Sequence, residues 1–149
     1  GYVKQEGGYF VHARFCSGLR DLSPLRVLSF SRLDVSGDGE LFDLSPLKGL
    51  PLHSVSLRSM VADLAPIAQP ELEYLSLTSC AVNDLSPLRG IAIRECHVFS
   101  NPVSDIEPIA QESLRRLSVP GCPVENLDAL RGLALESLNV NETPIRAIS

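Results

Sequence analysis

The chain has 149 residues, is 44% hydrophobic and carries a formal net charge of −5. This length and hydrophobic content suit one domain with a sizeable core, and the acidic balance argues against a dedicated nucleic-acid-binding protein, whose contact surface would be basic. Because no apolar run approaches the ~18 residues that cross a bilayer, we expect no membrane insertion.

The first eight residues lie outside the pattern that organises the rest of the chain. Tyr2-Val3 and Tyr9-Phe10-Val11 flank the turn signal Gly7-Gly8, an arrangement compatible with a β-hairpin. A disordered tail is the alternative. We therefore expect residues 1–8 to be an N-terminal tail or a partial cap, followed by a repeat domain at residues 9–149.

A five-residue motif returns along the chain at a nearly constant interval. The segment 84–88 reads DLSPL, and full or partial copies of it start at Asp21, Asp43, Asp63, Asp105 and Asn126. Consecutive copies start 20–22 residues apart, and Ala147 starts a partial last copy. Self-similarity at such a period is typical of a solenoid, in which each coil packs on its neighbours.

A second pattern precedes each copy of the motif. Upstream of position 84 it reads Leu72-x-x-Leu75-x-Leu77-x-x-Cys80-x-Val82. The alternation at Leu75 and Leu77 predicts a short strand with one buried face. Strands that recur once per coil must run in the same direction, which predicts a parallel sheet.

Three coils depart from this pattern, and the second of them has one extra residue before the next copy of the motif. In the third coil we align Met60 with the ninth repeat position, with one residue missing. In the first coil, Phe10, Ala13 and Phe15 are aligned with the three inward positions. We therefore expect these four side chains to point into their coils.

The motif itself predicts how the chain turns back. Ser is a favourable N-cap and Pro suits the first helical position, so Ser86-Pro87 predicts the start of a helical turn. The next strand pattern begins at Ile93, which leaves no room for a long α-helix, so we expect 3₁₀ or single-turn segments. We expect the Asp of each copy to hydrogen-bond nearby backbone amides, an interpretation that we favour over a calcium site or acid catalysis.

These patterns resemble the leucine-rich repeat, and the DLSPL segment resembles the short bacterial subclass typified by internalins. The resemblance implies an α/β fold: a right-handed leucine-rich-repeat solenoid of about seven coils, with a concave parallel β-sheet and a convex side of short 3₁₀ or helical turns. The ninth position is Asn only at Asn101, and neither end carries a clear cap. We therefore expect both ends to be truncated and able to self-associate end to end.

For function, the resemblance implies a non-catalytic protein–protein interaction module that binds a protein partner on its concave sheet face. The alternative is a sensory or substrate-docking domain of a larger bacterial enzyme, such as a signalling kinase or a hydrolase. Neither function requires a cofactor or a nucleic-acid partner, and we predict none.

The four cysteines follow the repeat and not a metal-ligand spacing. Cys80 and Cys122 occupy the ninth repeat position, Cys96 a buried strand position and Cys16 an exposed one. We interpret them as free structural thiols, which favours a reducing compartment such as the cytoplasm. His12 and Cys16 share a strand face, but no acid close in sequence orients the imidazole, so we predict no catalytic residue and no metal site.

The residues between the buried leucines remain as candidates for binding. Most of those on the exposed face of the sheet are small and polar, as on any solvated sheet. Tyr74 and Phe99 are exceptions, with Arg58, His97 and Arg116 in neighbouring columns. Because aromatic and Arg side chains dominate interface energetics and an exposed Phe is costly without a use, we predict a partner-binding site at these five residues.

Overall fold

A computed structural model describes residues 2–5, 8–14, 18–37 and 40–146, with side chains from Phe10 onward. These residues form one eight-stranded sheet, in which the spatial order of the strands follows their order in the chain. The strands are β1 (Tyr2–Gln5), β2 (Gly8–Arg14), β3 (Phe30–Ser36), β4 (Ser54–Arg58), β5 (Tyr74–Thr78), β6 (Glu95–Phe99), β7 (Arg116–Ser118) and β8 (Ser137–Asn139). The predictions for Phe15, Cys16 and residues 147–149 lie outside the described residues.

The strand directions confirm the predicted parallel sheet. Strand β1 pairs antiparallel with β2, and every later pair of neighbouring strands is parallel. Between the parallel strands, the described residues form six 3₁₀ turns, at Ser23–Val27, Ser45–Leu47, Ala65–Ile67, Ser86–Leu88, Glu107–Ile109 and Asp128–Leu130. No α-helix occurs in the described part of the chain, and the fold is the predicted solenoid.

The core lies between the sheet and the 3₁₀ turns. In β5, Leu75 and Leu77 are fully buried, whereas the residues that alternate with them are half-buried on the other face. The parallel register stacks Leu75 between Val55 of β4 and Cys96 of β6. Each coil therefore buries its apolar side chains only by stacking on the coils next to it.

A side-chain hydrogen bond closes the corner before each 3₁₀ turn. Asp84 Oδ1 accepts from the backbone N–H of Ser86 at 2.8 Å, and Asp84 Oδ2 accepts from the Ser86 hydroxyl at 2.8 Å. The same backbone bond forms at the other copies of the motif, to Asp21, Asp43, Asp63, Asp105 and Asn126. The predicted role of these residues in a tight turn is confirmed.

The serine of the motif is not the N-cap that the sequence suggests. The 3₁₀ turn begins at Ser86 itself, Leu85 occupies the N-cap position, and its side chain makes no capping hydrogen bond. Pro87 lies at the start of the turn, as predicted. Because Asp84 already accepts the Ser86 N–H, Leu85 can pack in the core, where it is 1% exposed.

Side chains at the ninth repeat position bond backbone carbonyl groups inside the coil. Asn101 Nδ2 donates to the carbonyl oxygens of Leu77 at 3.2 Å and Phe99 at 2.8 Å. The thiols of Cys80 and Cys122 donate to carbonyl groups in the same way. These interactions confirm the interpretation of both cysteines as free structural thiols.

The alignment of Met60 with the buried ninth position is wrong. Met60 is 49% exposed, whereas Ser59 is 4% exposed and takes the interior place. The coil is one residue shorter at the exit of β4, so the interior place falls one residue earlier than the alignment suggests. The short Ser59 side chain fits a space that a methionine would overfill.

The alignment of the first coil is also wrong. Val11 pairs with Leu33 and is 4% exposed, so Val11 and not Ala13 takes this inward position. Phe10, predicted to point into the coil, instead packs its ring edge-on against His12 with centroids 5.4 Å apart. The register shifts just before Phe10, and such a bulge changes the face to which a side chain points.

We expect Leu85→Ala to lower the free energy of unfolding by about 2–5 kcal/mol, because it deletes buried methyl groups and leaves a cavity between coils. Val27→Ala is the matched control, since Val27 is 87% exposed and its truncation should change stability by less than about 0.5 kcal/mol. Urea unfolding followed by circular dichroism measures both. An unfolding midpoint for Leu85→Ala equal to that of the wild type would contradict a structural role for the motif.

The hydrogen bonds from the Ser86 backbone N–H and hydroxyl lower the pKa of the Asp84 carboxyl. A lowered folded-state pKa adds stability above the unfolded-state value of about 3.9, and this stability is lost as the pH falls through the folded-state pKa. We expect Asp84→Ala to lower the melting temperature at pH 7, with a difference from the wild type that shrinks in acid.

Asp84→Asn is the control for that experiment, because Asn126 closes the same turn with an amide oxygen. It should retain most of the stability at pH 7 and lose less of it in acid than the wild type does. Melting curves recorded at neutral and acidic pH give both comparisons. Equal melting temperatures for Asp84→Ala and the wild type at pH 7 would show that the turn does not depend on this carboxylate.

Candidate partner-binding face

The outward side of strands β2–β8, which we call the sheet face, presents its side chains in columns that run across the strands. Each strand contributes every second residue, because side chains alternate between the two faces. The register places Ser76 between Ser56 and His97 in one column, and Thr78 beside Phe99 in the next. Column neighbours lie ~4.8 Å apart, although they are a whole coil apart in sequence.

Three of the predicted site residues form one group on β5 and β6, which we call the aromatic cluster. The ring centroids of Tyr74 and His97 are 5.6 Å apart at an interplanar angle of 48°. Those of His97 and Phe99 are 6.1 Å apart with the rings nearly parallel, at 5°. All three residues are half-buried, so the rings support one another and still present a surface to solvent.

Arg116 is connected to the aromatic cluster through Glu95. Arg116 Nη1 donates to Glu95 Oε1 at 2.6 Å, and His97 Nε2 lies 3.6 Å from Glu95 Oε2. Arg116 Nη2 also lies 3.4 Å from Glu136 Oε2. The sequence prediction missed Glu95, whose role follows from the register that pairs it with Arg116.

Arg58 stands apart from the other predicted site residues. It lies at the end of β4, and Thr78 of β5 separates it from Phe99 of β6, a distance of ~10 Å. The Arg58 side chain is exposed and forms no ion pair with any residue that the structure describes, and the same is true of Arg32 on β3. The structure therefore groups four predicted residues and leaves the fifth two strands away.

The side chains in the middle of the sheet face are small. Ser54 and Ser56 of β4 and Ser76 of β5 are half-buried, and we call these three residues the serine floor. The aromatic cluster lies on one side of the serine floor. Hydroxyl groups both donate and accept hydrogen bonds, so this surface is suited to polar backbone groups.

A second group, which the sequence prediction missed, lies on the other side of the serine floor. Asp34 accepts from Arg14 Nη2 at 2.7 Å and lies 3.5 Å from His12 Nδ1. His12 in turn contacts the ring of Phe10. We call these four residues the N-terminal cluster. The nearby sequence offers no acid to orient His12, but Asp34 lies beside it on the next strand, β3. Only the strand register shows that these two residues are neighbours.

Exposed apolar side chains, possible metal ligands and possible membrane-spanning helices are further features that bear on the predicted sites. Val27 and Phe42 are 87% and 63% exposed and lie outside the strands. Within the described ranges, no group of three or more His, Cys, Asp or Glu side chains could hold a metal ion. The same residues contain no helix long and apolar enough to cross a membrane.

Comparison with known proteins gives matches in structure but not in sequence. No family model and no curated protein matches the chain. The internalin InlF of Listeria monocytogenes is similar with a TM-score of 0.79 and 26% identity, over 92% of this chain and 41% of that one. The internalin C2 of the same species has a TM-score of 0.65 and 23% identity, over 87% of this chain and 66% of that one.

The sheet topology and these similarities define the class of the protein. Its fold is a leucine-rich-repeat solenoid of the short internalin-like type, with parallel strands and 3₁₀ turns, as the sequence pattern predicts. The chain spans less than two thirds of either internalin. In general terms, an internalin-like fold suggests a role in protein–protein interaction.

Proposed function

We propose that the chain is a non-catalytic interaction module that binds a protein partner on the sheet face, with Arg58, Tyr74, His97, Phe99 and Arg116 as contact residues. The observation that carries the proposal is the aromatic cluster, in which rings from two strands stack on the solvent side of the sheet. Coil packing uses the opposite side of the same strands.

The neighbouring coils indicate that the fold does not require aromatic rings at these positions. In the columns of Tyr74 and His97, strand β4 carries Ser54 and Ser56, and it forms the same parallel ladder. Half-exposed rings add apolar area beside the small, polar side chains of the serine floor. Rigid aromatic side chains are typical of interfaces, because they bury a large area at a low cost in conformational entropy.

The sheet face is also preorganised, which supports binding without a large ordering cost. The strands are fixed by parallel ladders on both sides, and ion pairs to Glu95 and Glu136 hold the Arg116 guanidinium. A surface that is already ordered loses little side-chain and backbone entropy when a partner docks.

The non-catalytic part of the proposal rests on the thiols and on His97. Burial raises the pKa of the Cys96 thiol to about 12, and it also raises the pKa of the Cys80 and Cys122 thiols. These groups therefore stay protonated and unreactive at neutral pH. His97 contacts two rings and the Glu95 carboxylate, and among the described residues no hydrogen bond joins it to a Ser, Thr or Cys side chain that it could activate.

The test is affinity capture of a partner on the immobilised chain, followed by titration calorimetry with the captured, purified protein. We expect the Tyr74→Ala/Phe99→Ala double variant to bind about 30-fold more weakly or worse. Loss of central aromatic contacts typically costs about 2 kcal/mol or more of binding free energy.

Val27→Ala/Phe42→Ala is the matched control, because it truncates two exposed apolar side chains that lie outside the sheet face. It should leave the dissociation constant unchanged, and circular dichroism of both variants checks that the fold is retained. If the aromatic double variant binds the captured protein as tightly as the wild type does, the proposed location of the site is wrong.

A further inference from the structure

We infer that the partner segment seated on the sheet face is acidic, with two carboxylates that pair with Arg32 and Arg58 across the serine floor. This inference rests on the proposed function, since it assigns the chemistry of a partner at the same face. Its starting point is a pair of charges on the sheet face that no described residue compensates.

The sheet face is basic although the chain as a whole is acidic. Its described strand positions carry a formal charge of +2 with histidines neutral, whereas the whole chain carries −5. The charged residues are four arginines, Arg14, Arg32, Arg58 and Arg116, and two carboxylates, Asp34 and Glu95. An acidic molecule that keeps a positive patch on one face attracts negatively charged groups to that face.

Two of the four arginines are neutralised in place, by pairs with Asp34 at 2.7 Å and Glu95 at 2.6 Å. Arg32 and Arg58 are exposed and have no ion pair with a described residue. The guanidinium group pairs with carboxylates through two parallel hydrogen bonds, which makes such contacts selective as well as strong. Two guanidinium groups without an ion pair to a described residue, on a surface that we propose binds a protein, therefore fit a partner with two carboxylates.

The positions of the two arginines set the spacing of those carboxylates. Arg32 of β3 lies opposite Ser54 of β4 in the strand register, and Arg58 lies four residues beyond Ser54 on β4. Their Cα atoms are therefore ~14 Å apart, from a rise of ~3.3 Å per residue and a strand spacing of ~4.8 Å. An extended segment with acidic residues four positions apart spans this distance.

The surface between the arginines suits one extended segment of a protein. The serine floor offers hydroxyl groups to its backbone, and the aromatic cluster offers an apolar contact to one of its side chains. A continuous polyanion is disfavoured, because its evenly spaced phosphates would meet only two guanidinium groups that have no ion pair with a described residue, whereas Arg14 and Arg116 are already paired with Asp34 and Glu95.

The test is selection of a phage-displayed library of random ~12-residue peptides on the immobilised wild-type chain. Fluorescence anisotropy with the synthesised peptides then gives their affinities. We expect enrichment of Asp or Glu pairs four residues apart. Arg32→Gln/Arg58→Gln should bind these peptides at least about tenfold more weakly, and a rise in NaCl from about 50 to about 300 mM should weaken wild-type binding about threefold or more.

Two further variants serve as controls. Arg26→Gln/Lys48→Gln removes the same charge from exposed residues outside the strands and should leave the affinity within about twofold, because distant exposed charges are screened. Arg32→Glu/Arg58→Glu should select basic peptides in place of acidic ones, since the charge complementarity is reversed.

A library that enriches no acidic peptide would overturn the inference, and so would acidic peptides that bind Arg32→Gln/Arg58→Gln as tightly as the wild type. If the enriched peptides depend on Tyr74 and Phe99 but not on the arginines, the proposed function stands and only the acidic partner is wrong. Peptides whose affinity depends neither on Tyr74 and Phe99 nor on Arg32 and Arg58 would contradict both proposals. An oligonucleotide of equal charge that binds more tightly than the peptides would contradict a protein segment as the ligand.

Discussion

The hydrogen bond from a backbone N–H to the side chain two residues before it closes the corner of each coil, and the rest of the structure depends on it. At Asp84 this bond turns the chain at the surface and lets Leu85 enter the core. A 3₁₀ turn of three residues then begins the return to the sheet. Because the same corner recurs at an almost constant interval, successive strands are parallel and in register, and the leucines of neighbouring coils meet.

The two sides of each strand consequently carry different constraints. Inward positions such as Leu75 and Leu77 are fixed by contact with the coils above and below. Outward positions contribute little to that packing, so serine on β4 and aromatic rings on β5 and β6 occupy equivalent columns. A solenoid can therefore change its binding surface at a small cost in stability, and a surface held by rigid strands needs little reordering to bind.

The sequence period is enough to predict the parallel sheet, the 3₁₀ turns and the buried thiols, because each depends on the repeat or on residues close together in the chain. Cross-strand contacts are harder to predict. Arg116 and Glu95 lie 21 residues apart, and only the register shows that they pair. Four of the five predicted site residues do come together, but the bulge before Phe10 and the pair of His12 with Asp34 have no signal in the repeat. A local shift of one residue moves a side chain to the opposite face.

Hydroxyl-radical footprinting of the chain, with and without its captured protein partner, tests most directly whether binding uses the sheet face and spares the rest of the solenoid. Aromatic and sulfur-containing side chains are labelled in proportion to their exposure. Labelling rates on the sheet face and on the rest of the solenoid can therefore be followed independently. We expect the partner to protect Tyr74, His97 and Phe99, while Phe42 and Met60, which are 63% and 49% exposed, keep their labelling rates. Protection of Phe42 and Met60 with unchanged labelling of the aromatic cluster would contradict binding on the sheet face.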